Sequence, residues 1–266
     1  MNLEKYFAEA AFRIFSKRKL LLTFATLALS GILTVFCRAL AAGTSPWVSL
    51  SMIFLPILLS CGLFLALGTL LVQIYRSEVK SVPLSLKQLL SGSIDTMLGT
   101  SYLSLPPVLI YLLLWIVLGF FILLKEIPFI GSFFNIIFAF GPFLLIFCSM
   151  VLCLFNLFLL FFIAPAAAQV AERRFDLAKQ VGKNVLANPL LALKLFMIAL
   201  IPAFMIGAML GLSVWATQLS FSVEGPALAL ALEWFFVMLP FAAVMTPAVI
   251  FFFQFSSESY YLLQRK

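Results

Sequence analysis

Apolar residues along this chain fall into runs long enough to cross a bilayer, separated by short polar breaks. Leu20–Leu40, Val48–Tyr75, Tyr102–Leu124, residues 142–163, Leu190–Thr217 and Ala227–Phe255 each predict one spanning helix. The stretch from Phe129 to Ile163 exceeds the roughly 20 residues of a single crossing. Gly141-Pro142 is therefore expected to divide a surface or re-entrant segment, 129–140, from the fourth span. Three segments between the runs repeat their apolar residues at helical spacing and predict helices with one apolar stripe. They carry Leu3, Tyr6, Phe7, Ala10 and Ile14; Leu86, Leu89, Leu90, Ile94 and Met97; and Phe175, Ala178, Val181 and Val185. The first is expected either to lie in the membrane interface or to dock on the protein. The succession of basic amphipathic segment, break and apolar span occurs three times. It predicts one transmembrane domain of three similar units, 1–76, 77–164 and 165–266. The fold class is an all-α polytopic membrane bundle of six transmembrane helices and three interfacial amphipathic helices, with a pseudo-threefold repeat.

Local chemistry refines the elements. Gly43-Thr44-Ser45-Pro46 is a turn, and Trp47 beside it is an interfacial anchor. Pro56 interrupts the second span, while Pro240 and Pro247 bend or tilt the sixth. Ser60, Gly62, Ala66 and Gly68 suit a close helix contact. Residues Ser256–Lys266 read as a polar tail. Ala39-Leu40-Ala41 has the small residues of a signal-peptide cleavage site. The long basic leader, the long apolar run and Arg38 favour an uncleaved anchor.

Composition agrees: 64% of the 266 residues are hydrophobic and only 10% are charged, against about 25% charged in soluble domains. A soluble fold has too little polar surface to cover such a chain, so the bilayer is its solvent. The net charge of +7 does not point to nucleic acid, because the basic residues sit at the ends of apolar runs. Fourteen of the 17 fall on one side of the six spans. The positive-inside rule makes that side cytoplasmic and puts both termini there, in a multi-pass protein of the cytoplasmic membrane. Arg13, Lys17, Arg18, Lys19, Arg173, Arg174, Lys179 and Lys183 are the expected contacts to anionic lipid headgroups.

The chain has no histidine, which excludes Ser-His-Asp and Cys-His catalysis and His-ligated metals. Cys37, Cys61, Cys148 and Cys153 lie in apolar runs without CxxC spacing, as buried thiols do. No nucleotide-binding, nucleophile-elbow or metalloprotease motif occurs, so no catalytic residue, cofactor or metal is expected. Ionisable groups at membrane depth are costly and therefore candidates for function. Glu233, Arg38 and Asn156 form the candidate intramembrane polar site. Glu233 would bind a cation or carry a proton, or else pair structurally with Arg38 or Lys125; the pair is favoured. Asn156, with Gln73 and Gln254, would line a polar cavity or make interhelical hydrogen bonds, which are the commoner arrangement.

The segments LSLKQLLSGSIDTML and ERRFDLAKQVGKNVLANPLLALKLF, with Pro165, Asn188 and Pro189, resemble a loose group of bacterial six-span proteins of unknown function. That group is similar to the membrane domain accompanying some glycerophosphodiester phosphodiesterases. The resemblance implies a membrane bundle and brings no activity, since no catalytic motif maps onto these residues. The expected role is non-enzymatic: scaffolding, assembly or envelope homeostasis through lipids or other membrane proteins, without nucleic acid. The alternative is a transporter or permease subunit for a small solute or lipid, favoured by internal repetition and proline-broken spans. A polar path between the spans would support transport, and a dry centre would support scaffolding.

Overall fold

A computed structural model of the chain describes residues 3–41, 43–80, 104–125, 140–168, 181–183, 185–216 and 227–264. In hydrocarbon every backbone N–H and C=O must find a partner within the protein, and a helix provides it locally. The described residues accordingly form helices and no strands. In chain order these are α1 (Leu3–Phe12), α2 (Lys17–Leu40), α3 (Pro46–Ser51), α4 (Phe54–Val79), α5 (Leu105–Lys125), α6 (Gly141–Ala167), α7 (Pro189–Ala216) and α8 (Ala227–Gln264). Among the described residues, six helical segments are long and apolar enough to cross a membrane: Lys17–Leu40, Val48–Val79, Leu105–Leu124, Gly141–Ala167, Pro189–Ala216 and Ala231–Leu263. The protein is a multi-pass, all-α integral membrane bundle. The second amphipathic segment, residues 129–139, most of the third amphipathic segment, and Arg173, Arg174 and Lys179 lie outside the described residues.

Prolines explain where the helices break. A proline ring clashes with the carbonyl four residues earlier. Pro56 accordingly places the interruption of the second span at Met52 and Ile53, between α3 and α4. There Pro56 occupies the third residue of α4, where no intrahelical N–H bond is lost. The carbonyl of Ser51 at the end of α3 accepts a hydrogen bond from the Tyr111 hydroxyl of α5 at 2.7 Å. Tyr111, Val108 and Leu58 centre a small satellite cluster there, with Trp115 packed against it. Gly43, in the turn before α3, has φ of +80° and thereby reverses the chain where a side chain would be strained.

The central element is α8, which packs on α1, α2, α4, α6 and α7. It spans 38 residues, or about 57 Å at helical rise, well beyond the hydrocarbon thickness. The expected polar tail is thus a correction: residues 256–264 continue the sixth helix, with Ser256, Ser257 and Ser259 fully buried. Apolar Phe255, Tyr260, Leu262 and Leu263 keep the helical period going, and the serines fit where neighbouring backbones approach.

Burial is concentrated at one end of the bundle. There the start of α2, the ends of α4, α6 and α8, and the start of α7 converge on Leu65, Leu71, Phe161, Leu195 and Phe251. The first amphipathic helix resolves its alternative by docking on protein: Phe7 meets Phe251 at 4.9 Å, and Ala10 is fully buried. The small residues of α4 work as expected. A Cβ on Gly68 would fall 2.3 Å from Phe253 Cε1 and 2.9 Å from Ala164 Cβ. Ser60 accepts a hydrogen bond from Ser30 of α2 at 2.7 Å. Gly31 likewise brings α2 against Met238 of α8. Toward the opposite end the helices expose apolar side chains such as Phe143, Phe147, Met209, Leu212 and Phe236, as lipid-facing surfaces do.

One interhelical tie follows from a proline. Pro165 has no N–H, so the carbonyl of Phe161, four residues earlier, loses its helical partner. The Ser256 hydroxyl of α8 donates to that carbonyl. The ends of α6 and α8 are therefore joined where α6 cannot satisfy itself.

Candidate functional site

The structure does not gather the expected intramembrane site. Glu233 is exposed on α8, and among the described residues it forms no ion pair with Arg38. The guanidinium of Arg38 lies instead over the ring of the neighbouring Trp234, 3.7 Å from its centroid. Adjacent residues on a helix point about 100° apart, so the face that meets Arg38 belongs to Trp234 and not to Glu233. The side chain of Lys125, the other expected partner, lies outside the described residues. Asn156 is buried and separate from both. Its Oδ1 accepts from the Cys61 thiol at 2.8 Å, joining α6 to α4, while its Nδ2 has no partner. Asn156 thus makes an interhelical hydrogen bond, one of its two expected arrangements.

The expected headgroup contacts divide. Lys17, Arg18 and Lys183 are exposed, as that role requires, and Arg13 is half-buried. Lys19 is a correction. It is fully buried, with its ammonium 2.6 Å from Glu78 Oε2 and donating to the Arg13 carbonyl at 3.0 Å. The Tyr75 ring lies 5.6 Å from the same ammonium. Lys19 follows directly on the exposed Lys17 and Arg18 at the start of α2, and the helix turn points it at α4, so its charge serves packing. Glu78, at 32% exposure, keeps the pair in touch with the surroundings.

This ion pair belongs to a polar cluster that the sequence did not single out. Arg76 projects from the last turns of α4. Its Nε donates to Ser257 Oγ of α8 at 3.3 Å, and its guanidinium lies 4.8 Å from the Tyr261 ring centroid. Those two contacts fix the guanidinium and leave Nη2 buried without a hydrogen-bond partner. The Tyr75 hydroxyl, on a side chain only 1% exposed, also lacks one. It stands close to the Glu258 carboxyl without closing to a well-formed hydrogen bond. Gln254, fully buried, donates through Nε2 to the Arg13 carbonyl at 3.3 Å and leaves Oε1 unpaired. Thr23 and Ser259 hydroxyls at the same end are unpaired as well. Between α1, α4 and α8 these residues border a cleft of about 270 Å³, lined by Tyr6, Tyr75, Arg76, Lys80, Glu258 and Tyr261 together with Val79 and Leu262.

Ser256 donates to a carbonyl, and Ser257 accepts from a guanidinium. A hydroxyl so engaged is not activated as a nucleophile, which needs a base accepting its proton. Among the described residues no group of His, Cys, Asp and Glu could hold a metal ion. Only the basic and aromatic composition of Tyr75-Arg76 near a span end hinted at the cluster; its partners on α8 lie some 180 residues away in sequence. Two further clefts, about 260 Å³ between α5 and α6 and about 440 Å³ between α7 and α8, are apolar and face the lipid-exposed part of the bundle.

No family model, curated protein or solved structure matches this chain.

Proposed function

We propose that the protein is a non-enzymatic scaffold of the cytoplasmic membrane, with both termini cytoplasmic, acting in assembly or envelope homeostasis through lipid and protein contacts. The observation that carries this reading is the filled centre of the convergent end. Phe161, Phe162, Phe196, Phe251, Phe252, Phe253 and Phe255 occupy the space between α4, α6, α7 and α8 where a transport path would run. Asn156 is taken up by Cys61, and Glu233 faces away from the centre, so the residues best suited to carry a solute line no path. The polar groups gather at the end that carries the basic leader, Arg76 and Lys80, which the positive-inside rule places at the cytoplasmic headgroups. On this reading, the likeness to the membrane domain accompanying some glycerophosphodiester phosphodiesterases is one of fold and membrane placement.

The test is reconstitution. Proteoliposomes holding the full chain should leak neither protons, small solutes nor fluorescent lipid faster than protein-free vesicles. In native membranes, photo-crosslinkers at exposed apolar positions such as Phe147 and Met209 should capture lipids and membrane proteins. Flux that depends on the protein and falls in Glu233→Gln or Asn156→Leu would replace scaffolding by transport.

A further inference from the structure

Building on the reading of a lipid-contacting scaffold, we infer that the cleft between α1, α4 and α8 binds the headgroup of an aminophospholipid, a phosphate ester carrying a primary ammonium. Three observations converge. The first is unmet hydrogen-bonding capacity. Arg76 is held by Ser257 and Tyr261 in a fixed orientation, yet its buried Nη2 has no hydrogen-bond partner. Buried donors are normally satisfied, and those left over in a built site mark a missing acceptor. A phosphate offers several acceptor oxygens, and guanidinium is its preferred partner. Lys80, exposed at the mouth of the cleft, adds a second cation.

The second is the charge balance. The cleft is not uniformly positive, because Glu258 lines it, half-buried and without an ion pair among the described residues. Glu9 of α1 and Arg76 itself stand within electrostatic reach of Glu258. Lys19 and Glu78 neutralise one another. Two cations and a carboxylate facing one cavity suit a zwitterion better than a simple anion. The Glu258 carboxylate, with the Tyr6 ring in the same lining, makes a place for a primary ammonium, whose N–H groups donate to a carboxylate as a quaternary ammonium cannot.

The third is position. Tyr75 to Lys80 and Glu258 to Leu262 are the last turns of the second and sixth spans, where the apolar runs give out. Tyrosine favours this level of a bilayer. Val79 and Tyr261 are exposed at the cleft, so a lipid enters it from the side with its chains still in the membrane.

The experiment is native mass spectrometry of the full chain released from mixed micelles of phosphatidylethanolamine, phosphatidylglycerol and phosphatidylcholine in equal amounts. The wild-type protein is expected to retain phosphatidylethanolamine in preference to the other two. Arg76→Gln should lower retention of all three by roughly tenfold, the usual effect of losing a charge-assisted hydrogen bond. Glu258→Gln should leave retention of phosphatidylcholine intact and abolish the preference for phosphatidylethanolamine over it. Lys80→Gln changes an exposed side chain, leaves folding untouched, and should weaken retention even if Arg76→Gln does not fold. Equal retention of the three lipids, or a preference for phosphatidylglycerol or phosphatidylcholine, overturns the inference. So does binding of soluble glycerophosphoethanolamine with no retention of intact lipid, which would place the ligand outside the membrane. Protein-dependent flux in proteoliposomes with the lipid preference intact would remove scaffolding alone. Absence of both flux and preference would remove the headgroup site alone.

Discussion

Ser256→Ala should loosen the convergent end by more than the size of the change suggests. The hydroxyl donates to the Phe161 carbonyl, which Pro165 has deprived of its helical donor. Phe161 is fully buried, with the rings of Phe162, Phe196 and Phe252 within 6 Å of its own. Neither water nor lipid headgroups reach that carbonyl to replace the lost donor. An unsatisfied buried polar group costs about 1–3 kcal/mol, whereas interhelical hydrogen bonds in membranes average about 0.6 kcal/mol. The aromatic enclosure puts Ser256→Ala in the upper range, near 2 kcal/mol. A double-mutant cycle isolates the cause. In a Pro165→Ala background the helix recovers an N–H for the Phe161 carbonyl, and Ser256→Ala should then cost about 0.5 kcal/mol or less, a coupling of at least about 1 kcal/mol. The assay is reversible unfolding in mixed detergent micelles followed by helical circular dichroism. Equal losses in both backgrounds would refute the account of Pro165, since the serine would then be contributing only packing.

Other outcomes follow from the same contacts. Glu78→Gln leaves the buried Lys19 ammonium without its counter-charge and should destabilise by about 3 kcal/mol, while Lys19→Met, which removes the buried charge itself, should be nearly neutral by the same unfolding assay. Gly68→Ala drives a methyl into Phe253 and Ala164 and should cost about 1–3 kcal/mol, whereas Gly119→Ala, with nothing within 4 Å, should be neutral or stabilising. Tyr111→Phe should lose about 1 kcal/mol by freeing the Ser51 carbonyl, with the effect confined to protease sensitivity of the turn around Gly43 and α3. Glu233→Gln should leave stability unchanged, because Arg38 rests on Trp234.

Hydropathy alone revealed the six spans, because a bilayer allows an apolar run of this length little choice but helix. The small residues of α4 were equally legible, since Ser60 and Gly68 have room to matter only at a close crossing. The misjudged features depend on pairings distant in sequence. Serine reads as a surface residue, so the run from Ser256 reads as a tail, and only its partner carbonyl on Phe161 places it inside. Lys19 reads as one of the leader cations, whereas it faces Glu78, 59 residues on. Glu233 stands out by its charge, but the helix turn presents Trp234 to Arg38. The cleft at Arg76 was invisible for the same reason: each residue is ordinary where it stands, and only the meeting of α1, α4 and α8 makes a site.

The most direct test of the account is which side of the membrane the convergent end occupies. In a background with Cys37, Cys61, Cys148 and Cys153 replaced, single cysteines at Gly43, Lys80 and Lys183 are offered a membrane-impermeant maleimide on intact cells. Labelling at 43 alone, with 80 and 183 reacting only after the membrane is opened, is the expected result. Labelling of 80 and 183 from outside would put the buried core, the ion pair and the headgroup cleft on the wrong face and contradict the account.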